Sequence, residues 1–468
     1  MSSPIFERFL STPEMLEAFG AKAFVQAMLD FEAALARAEA AEGSIPEAAA
    51  TAIAAACRAD RFDLDALAAE GARAGSLAIP LVRRLTEAVR AADPAASHWV
   101  HWGSTSQDVI DSAMACCTRR ALGLLDATLG ALELAVIELA GRHLETPALA
   151  RTLMQPAQVV SFGFKLVAWA APLDRSRARL HRAAAEALNL QFGGAVGTLS
   201  TLGAAGPGVA RRMAADLGLG LPPGAWHAQR DAWVALGCEV GVLCGTLGKI
   251  GTDIAGLAQG EIGEVAEPSG AGRGGSSAMP HKRNPVAAMV ARAAALRAPQ
   301  HVAALLAAMG QEQERGLGNW QAELAEWPGL WASAHGAASA LAEALAGLEV
   351  DAARMRANIE SLHGLVFAEA LAVHWSGPLG KPEAQRLVET LSRRAGAGGG
   401  TLHDLAIAAI EAEPALHGAA SANAIAALFD IDAAARLAGA LARPRIAALR
   451  TTHAAARNLA ATNPVNPP

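Results

Sequence analysis

The stretch Pro285-Val286-Ala287-Ala288-Met289-Val290-Ala291-Arg292-Ala293-Ala294-Ala295-Leu296-Arg297-Ala298 opens an apolar run that continues to Met309. Small and unbranched side chains of this kind favour helix over strand. Between Ala287 and Ala308 the run is apolar on nearly every face, with Arg292 and Arg297 as its charged interruptions. Such a helix needs packing partners on more sides than one chain provides, which points towards oligomerisation. The segments Ile110–Leu144, Val159–Leu190, Asp231–Gln259 and Trp331–Leu348 have the same character. Helices of that length predict an elongated bundle.

Working outward, Met28, Phe31, Leu35 and Ala38 recur at helical spacing, with Asp30, Arg37 and Glu39 on other faces. Further helices follow through Arg61–Arg90, separated by Gly71 and Gly75 and interrupted by Pro80. Asp93-Pro94 to Gly103 reads as a connection. Beyond Asp351 the helices shorten, broken at Gly377-Pro378, Gly380 and Gly396–Gly400. The expectation is an all-α chain of three helical domains: residues 1–105, a central long-helix bundle 106–350, and a small domain 351–468. The tail from Asn463 to Pro468 is expected to be disordered.

The formal net charge of −6 gives no support for nucleic-acid binding. An anionic ligand must therefore be drawn by a local cluster of cations, and Arg273, Lys282 and Arg283 supply one. Cys57, Cys116, Cys117, Cys238 and Cys244 form an odd set without C-x-x-C spacing, against both a disulfide framework and a zinc site. Met1 to Leu10 carries Glu7 and Arg8 and lacks the apolar core of a signal peptide. Ala232–Gly248 is interrupted by Glu239 and four glycines, so a buried bundle helix is expected rather than a membrane span. These features predict a reduced, cytoplasmic protein with no metal and no cofactor.

Just upstream of the opening stretch lies Gly270-Ala271-Gly272-Arg273-Gly274, followed by Gly275-Ser276-Ser277-Ala278-Met279-Pro280-His281-Lys282-Arg283-Asn284-Pro285. A glycine lead-in to a proline-stiffened, cation-bearing segment suits a loop that closes over a bound molecule, excludes water and presents fixed donors to developing negative charge. The run resembles the fingerprint loop of the fumarase/aspartase superfamily, G-S-S-x-M-P-x-K-x-N-P, at every fixed position. That resemblance implies an α-helical homotetramer with active sites shared between chains. It also implies a polycarboxylate substrate and proton transfer next to a carboxylate. Ser276 then falls on the catalytic base. Lys282 and Asn284 fall on positions that bind carboxylate and stabilise the intermediate, with Lys282 or His281 as alternative proton carriers.

Other segments extend the resemblance. In Val100-His101-Trp102-Gly103-Ser104-Thr105-Ser106-Gln107-Asp108, hydroxyls open a long helix, whose free N–H groups make an anion cradle. The superfamily uses this Thr-Ser pair on a substrate carboxylate, which implicates Thr105, Ser106 and His101. Gln229 and Arg230, in Trp226–Asp231, fall where it places polar contacts, although Asp231 with Arg230 capping and polarising the helix start explains the segment equally well. Arg315 lies in Gln311–Trp320, which also matches. Arg151-Thr152-Leu153-Met154-Gln155 corresponds to R-T-H-x-Q, so Gln155 is a candidate contact, but Leu153 replaces the histidine. The glutamate that orients that histidine in many relatives is replaced by Met289. Losing both members suggests that the device was discarded as a unit. The same loss marks one branch, whose members close a lactone inside a single tricarboxylate, although relatives there tend to carry tryptophan where this chain has Leu153.

Overall fold

The computed structural model describes residues 5–270, 274–275, 278–279, 281–417 and 421–462. Helices dominate. Ala21–Ala41 (α1) is followed, after shorter helices, by Ser106–Arg142 (α2), Phe162–Ala187 (α3), Asp231–Leu257 (α4), Val286–Ala308 (α5) and Asn319–Ala346 (α6), with Ile431–Thr462 (α7) ending the described chain. The long ones run to 37 residues in α2 and 28 in α6. The expected tail at 463–468 lies outside the described residues.

Three differences from the sequence reading have physical causes. First, α6 begins at Asn319 rather than Trp331, and Pro328 sits inside it. Trp327 is fully buried, stacks on Trp233 at 4.1 Å between ring centroids, and donates from Nε1 to Thr118 Oγ1 at 2.8 Å. That packing overrides the proline break. Second, Pro147–Thr152 (β1) and Gln155–Ser161 (β2) form an antiparallel hairpin in an otherwise helical chain. Its two turn residues, Leu153 and Met154, both have positive φ, 49° and 66°. Non-glycine residues seldom adopt that geometry, so no turn signal announced it. Third, Glu39 is fully buried rather than on a polar face. A second small sheet pairs Val265–Ala266 (β3) with Glu349–Val350 (β4).

The sequence division into three follows chain order, whereas packing groups the residues into two compact units. One comprises 1–129, 175–249 and 290–340. Its core holds Trp233, Trp327 and Trp331, all at most 2% exposed. The other comprises 130–174, 250–289 and 341–468. In it α7 packs along β2, Trp169 donates to Asp253 at 2.7 Å, and Leu371, Trp375, Leu402, Leu416 and Ile425 form a separate apolar cluster. Helix α4 is apolar and long enough to cross a membrane, with a mean hydropathy of 1.4, yet 56% of that window is already buried. Burial of this kind is that of a bundle helix.

Candidate active site

The tip of α2 is organised by one carboxylate. Asp108 is fully buried and accepts from the backbone N–H of Thr105 at 3.2 Å, Gly193 at 3.1 Å and Gly194 at 2.9 Å. His227 Nε2 lies 2.7 Å from its Oδ1. Thr105 is therefore the residue that precedes the first helical turn, and Asp108 reaches back to it as half of a capping box. Burial pushes the Asp108 carboxyl up, against the opposing pull of His227 and the two glycine N–H groups. The backbone of 193–194 approaches closely because a Cβ on Gly193 would lie 2.5 Å from that of Ala225.

One turn further, Gln107, Asp111 and Ser112 tie down the same loops. Gln107 donates to Asp111 at 3.1 Å and to the His227 carbonyl at 2.9 Å. Gln191 donates to Asp111 at 3.2 Å and exchanges backbone bonds with the Ser112 hydroxyl at 3.0 Å. Arg230 donates to Asp111 at 2.8 and 3.2 Å and to Glu323 at 3.1 Å, with its ring neighbour Trp226 4.4 Å from the guanidinium. The two carboxylates hold the Arg230 proton more tightly than usual despite the burial that opposes its charge. Arg230 is only 2% exposed. Its donors face two internal carboxylates, so it clamps the α2 tip to α6. Arg315 likewise donates to the carbonyls of Gly194 at 3.0 Å and Ala195 at 3.1 Å, bracing the glycine loop. Gln229 is exposed beside this network.

His101 stands just before the cradle in a left-handed backbone conformation, φ 60°. Its Nδ1 is 2.7 Å from Glu32 Oε1. Burial works against the charged ring, yet Glu32, with a smaller contribution from Asp108, holds its pKa above the ordinary histidine value.

In the other unit, the base of the signature loop is pinned by Asn284 N–H donating to the Gly274 carbonyl at 2.8 Å. Gly274 has φ 66°, and a Cβ there would meet the Asn284 carbonyl oxygen at 2.7 Å. His281 and Lys282 are exposed. Arg283 is not the free cation expected: it forms a two-pronged pair with Glu349 at 3.0 and 2.8 Å and donates to the Glu267 carbonyl. The Glu267 carboxylate accepts from Ala287 and Ala288 N–H, both at 2.9 Å, capping α5 directly after the loop. Ser276 and Arg273 lie outside the described residues. On the hairpin, Gln155 is exposed beside Leu153 at 97% exposure, while Arg151 grips the buried Glu264 at 2.7 and 3.1 Å. Among the described residues no group of three or more His, Cys, Asp or Glu side chains could hold a metal ion.

Comparison with known proteins gives this geometry a family. Residues 7–299 match the family described as Lyase. The chain is 47% identical over 393 residues to a 3-carboxy-cis,cis-muconate cycloisomerase of Bradyrhizobium diazoefficiens, covering 84% of this chain and 87% of that one. The crystal structure of the 3-carboxy-cis,cis-muconate lactonizing enzyme from Pseudomonas putida superposes with a TM-score of 0.88 at 40% identity, over 96% of this chain and 99% of the other. The chain belongs to the 3-carboxy-cis,cis-muconate cycloisomerase family. A nitrosuccinate lyase of Streptomyces davaonensis is also similar, 41% identical over 397 residues, 83% of this chain and 84% of that one.

The structure separates the expected residues into those left partly or fully exposed and those bonded into the frame. Thr105, Ser106 and His101 share one turn, with Arg230 and Arg315 bracing the loops behind it. His281, Lys282 and Asn284 share another short segment, and Gln155 sits at a hairpin tip. The sequence reading missed Glu32, Asp108, Asp111, His227, Glu264, Glu267 and Glu323. For Asp108 the signal was available, an acid three residues after a capping threonine. For Glu32, Glu264, His227 and Glu323 the charged partners lie 69 to 119 residues away, and no local pattern marks them.

Proposed function

We propose that this chain converts 3-carboxy-cis,cis-muconate to 4-carboxymuconolactone, in the protocatechuate branch of the β-ketoadipate pathway. One carboxylate of the planar tricarboxylate attacks a double bond and closes a five-membered lactone, while the carbon next to another carboxylate takes up a proton. The nucleophile belongs to the substrate and is already ionised, so no side chain has to activate it. That requirement, or rather its absence, carries the reading. The position of the usual histidine is occupied by Leu153, and that of its glutamate by Met289, neither able to move a proton.

The demanding species is then the carbanion-like intermediate with charge spread onto its carboxylate. In this reading Lys282 and Asn284 stabilise it, and removing one such donor lowers the rate by about 10²–10³. Thr105, Ser106 and His101 hold a second carboxylate, and Gln155 and Gln229 make polar contacts. Ser276 delivers the proton, with Lys282 or His281 as the alternative carriers. The active form is a cytoplasmic homotetramer whose sites draw on more than one chain, and no metal or cofactor takes part.

The deciding experiment adds purified protein to 3-carboxy-cis,cis-muconate and follows loss of the diene's ultraviolet absorbance. The similarity to nitrosuccinate lyase favours one second reading, elimination from a substituted succinate to give fumarate. Unchanged diene together with fumarate release from nitrosuccinate or adenylosuccinate establishes that reading in its place. Ser276→Ala with near-normal turnover removes Ser276 as the proton carrier.

A further inference from the structure

Two carboxyl groups are buried on α1, seven residues apart. Glu32 is 1% exposed and Glu39 is fully buried. Oxygen Oε1 of Glu32 meets His101 Nδ1 at 2.7 Å, whereas its Oε2 and both oxygens of Glu39 have no hydrogen-bond partner among the described residues. A lone buried carboxylate without donors does not stay ionised. Burial first, and then the charge of Glu32, push Glu39 up to about 9. At neutral pH the proton therefore stays on Glu39. Among the described residues the charged groups acting on the His101 ring are Glu32 from α1 and Asp108 from α2. Both are anions. The ring is 18% exposed, and no hydrogen bond engages its Nε2 among the described residues. His101 also holds a left-handed backbone conformation that a non-glycine residue adopts only when its surroundings impose it.

We propose that Glu32 is a positioning residue for the reaction: it fixes the His101 ring through Nδ1 and favours a proton on it, so that Nε2–H is the donor offered to a substrate carboxylate. The chemistry suits a ligand carrying three negative charges in a protein whose own net charge is −6. Glu32 is buried against the ring, so it favours a proton on the histidine without itself meeting the ligand at contact distance. The proposal rests on the reading of His101–Ser106 as a carboxylate cradle, and the test separates the two.

Full-length protein carrying Glu32→Gln, Glu32→Asp or His101→Gln is titrated with tricarballylate, a saturated tricarboxylate, at pH 6 and pH 8. The pH dependence of kcat/KM for 3-carboxy-cis,cis-muconate is measured over the same range. Glu32→Gln is expected to weaken tricarballylate binding about tenfold at pH 8 and far less at pH 6, and to move the alkaline fall of kcat/KM to lower pH. Glu32→Asp keeps a carboxylate and recovers part of both. His101→Gln binds weakly at either pH. A loss in Glu32→Gln that is equal at the two pH values, or an unmoved alkaline limb, assigns Glu32 to packing and overturns the proposal. If Glu32→Gln fails to fold, the aspartate variant decides by the same criterion. His101→Gln that binds tricarballylate normally overturns the cradle reading itself, whatever the glutamate variants do.

Discussion

Among the described residues Glu39 has no hydrogen-bond partner to stabilise its charge, and that has a measurable consequence for stability. Its ordinary value is 4.5 and its value in the fold is about 9. Between those limits the unfolded chain releases a proton that the native protein retains, so native stability falls as pH rises through that window. At pH 7 the difference amounts to about 3 kcal/mol. Glu39→Gln is therefore expected to raise Tm at pH 8, with the gain shrinking towards zero at pH 5. A thermal-shift series across those pH values checks it, and a gain independent of pH rules out titration of Glu39 as the cause. Gly274 poses the complementary problem, because its φ and the 2.7 Å approach to the Asn284 carbonyl leave no room for a methyl group. Gly274→Ala should displace the loop base and reduce kcat/KM by about tenfold to hundredfold while Tm scarcely moves. Steady-state kinetics beside a melting curve tests that pairing.

Among elements, the hairpin is anchored close to its turn, where Arg151 pairs across to Pro156. Arg151 reaches the fully buried Glu264 with two nitrogens, and Asn358 Nδ2 donates to the same carboxylate at 2.9 Å. Arg151→Met leaves that carboxylate charged, buried and short of its main partner, at a cost of about 3–5 kcal/mol. Arg151→Lys should recover only part of it, since an ammonium cannot match the two-pronged geometry. Denaturant midpoints of the two variants measure this, and full recovery by lysine contradicts the bidentate account. The hairpin also marks where the sequence fell silent. Five long helices were legible because alanine- and leucine-rich periodicity is a local property. The strand pair was not, since its turn uses Leu153 and Met154 in a conformation their side chains disfavour. The first turns of α6 were hidden by Pro328, which only the stacking of Trp327 on Trp233 makes tolerable. Glu39 was placed on another face of α1 with Asp30 and Arg37, and burial by other elements leaves no trace in spacing.

Over the whole molecule, the loop and the α2 tip were legible because each is a contiguous string whose residue types state their chemistry. The frame behind them was not: Arg230 meets Glu323 across 93 positions and His227 meets Asp108 across 119, so only the fold joins them. Arg230 is the example: its two carboxylate partners are invisible in the string that holds it. The same scale carries the last prediction. Thr105 and Ser106 belong to one compact unit, Lys282 and Asn284 to the other. The apolar faces of α5, where Leu296 is 76% exposed and Leu306 51%, are uncovered in a single chain. A tetramer that buries such faces should have a mass of roughly four times the 47.8 kDa of the chain, measurable by light scattering. If its sites draw Ser106 from one chain and Lys282 from another, Ser106→Ala and Lys282→Ala are each inactive alone. Co-refolding the two variants then creates some sites in which both native side chains meet, and activity returns. A mixture that remains as inactive as its parents, with mixed tetramers confirmed by mass, shows that each site is built within one chain.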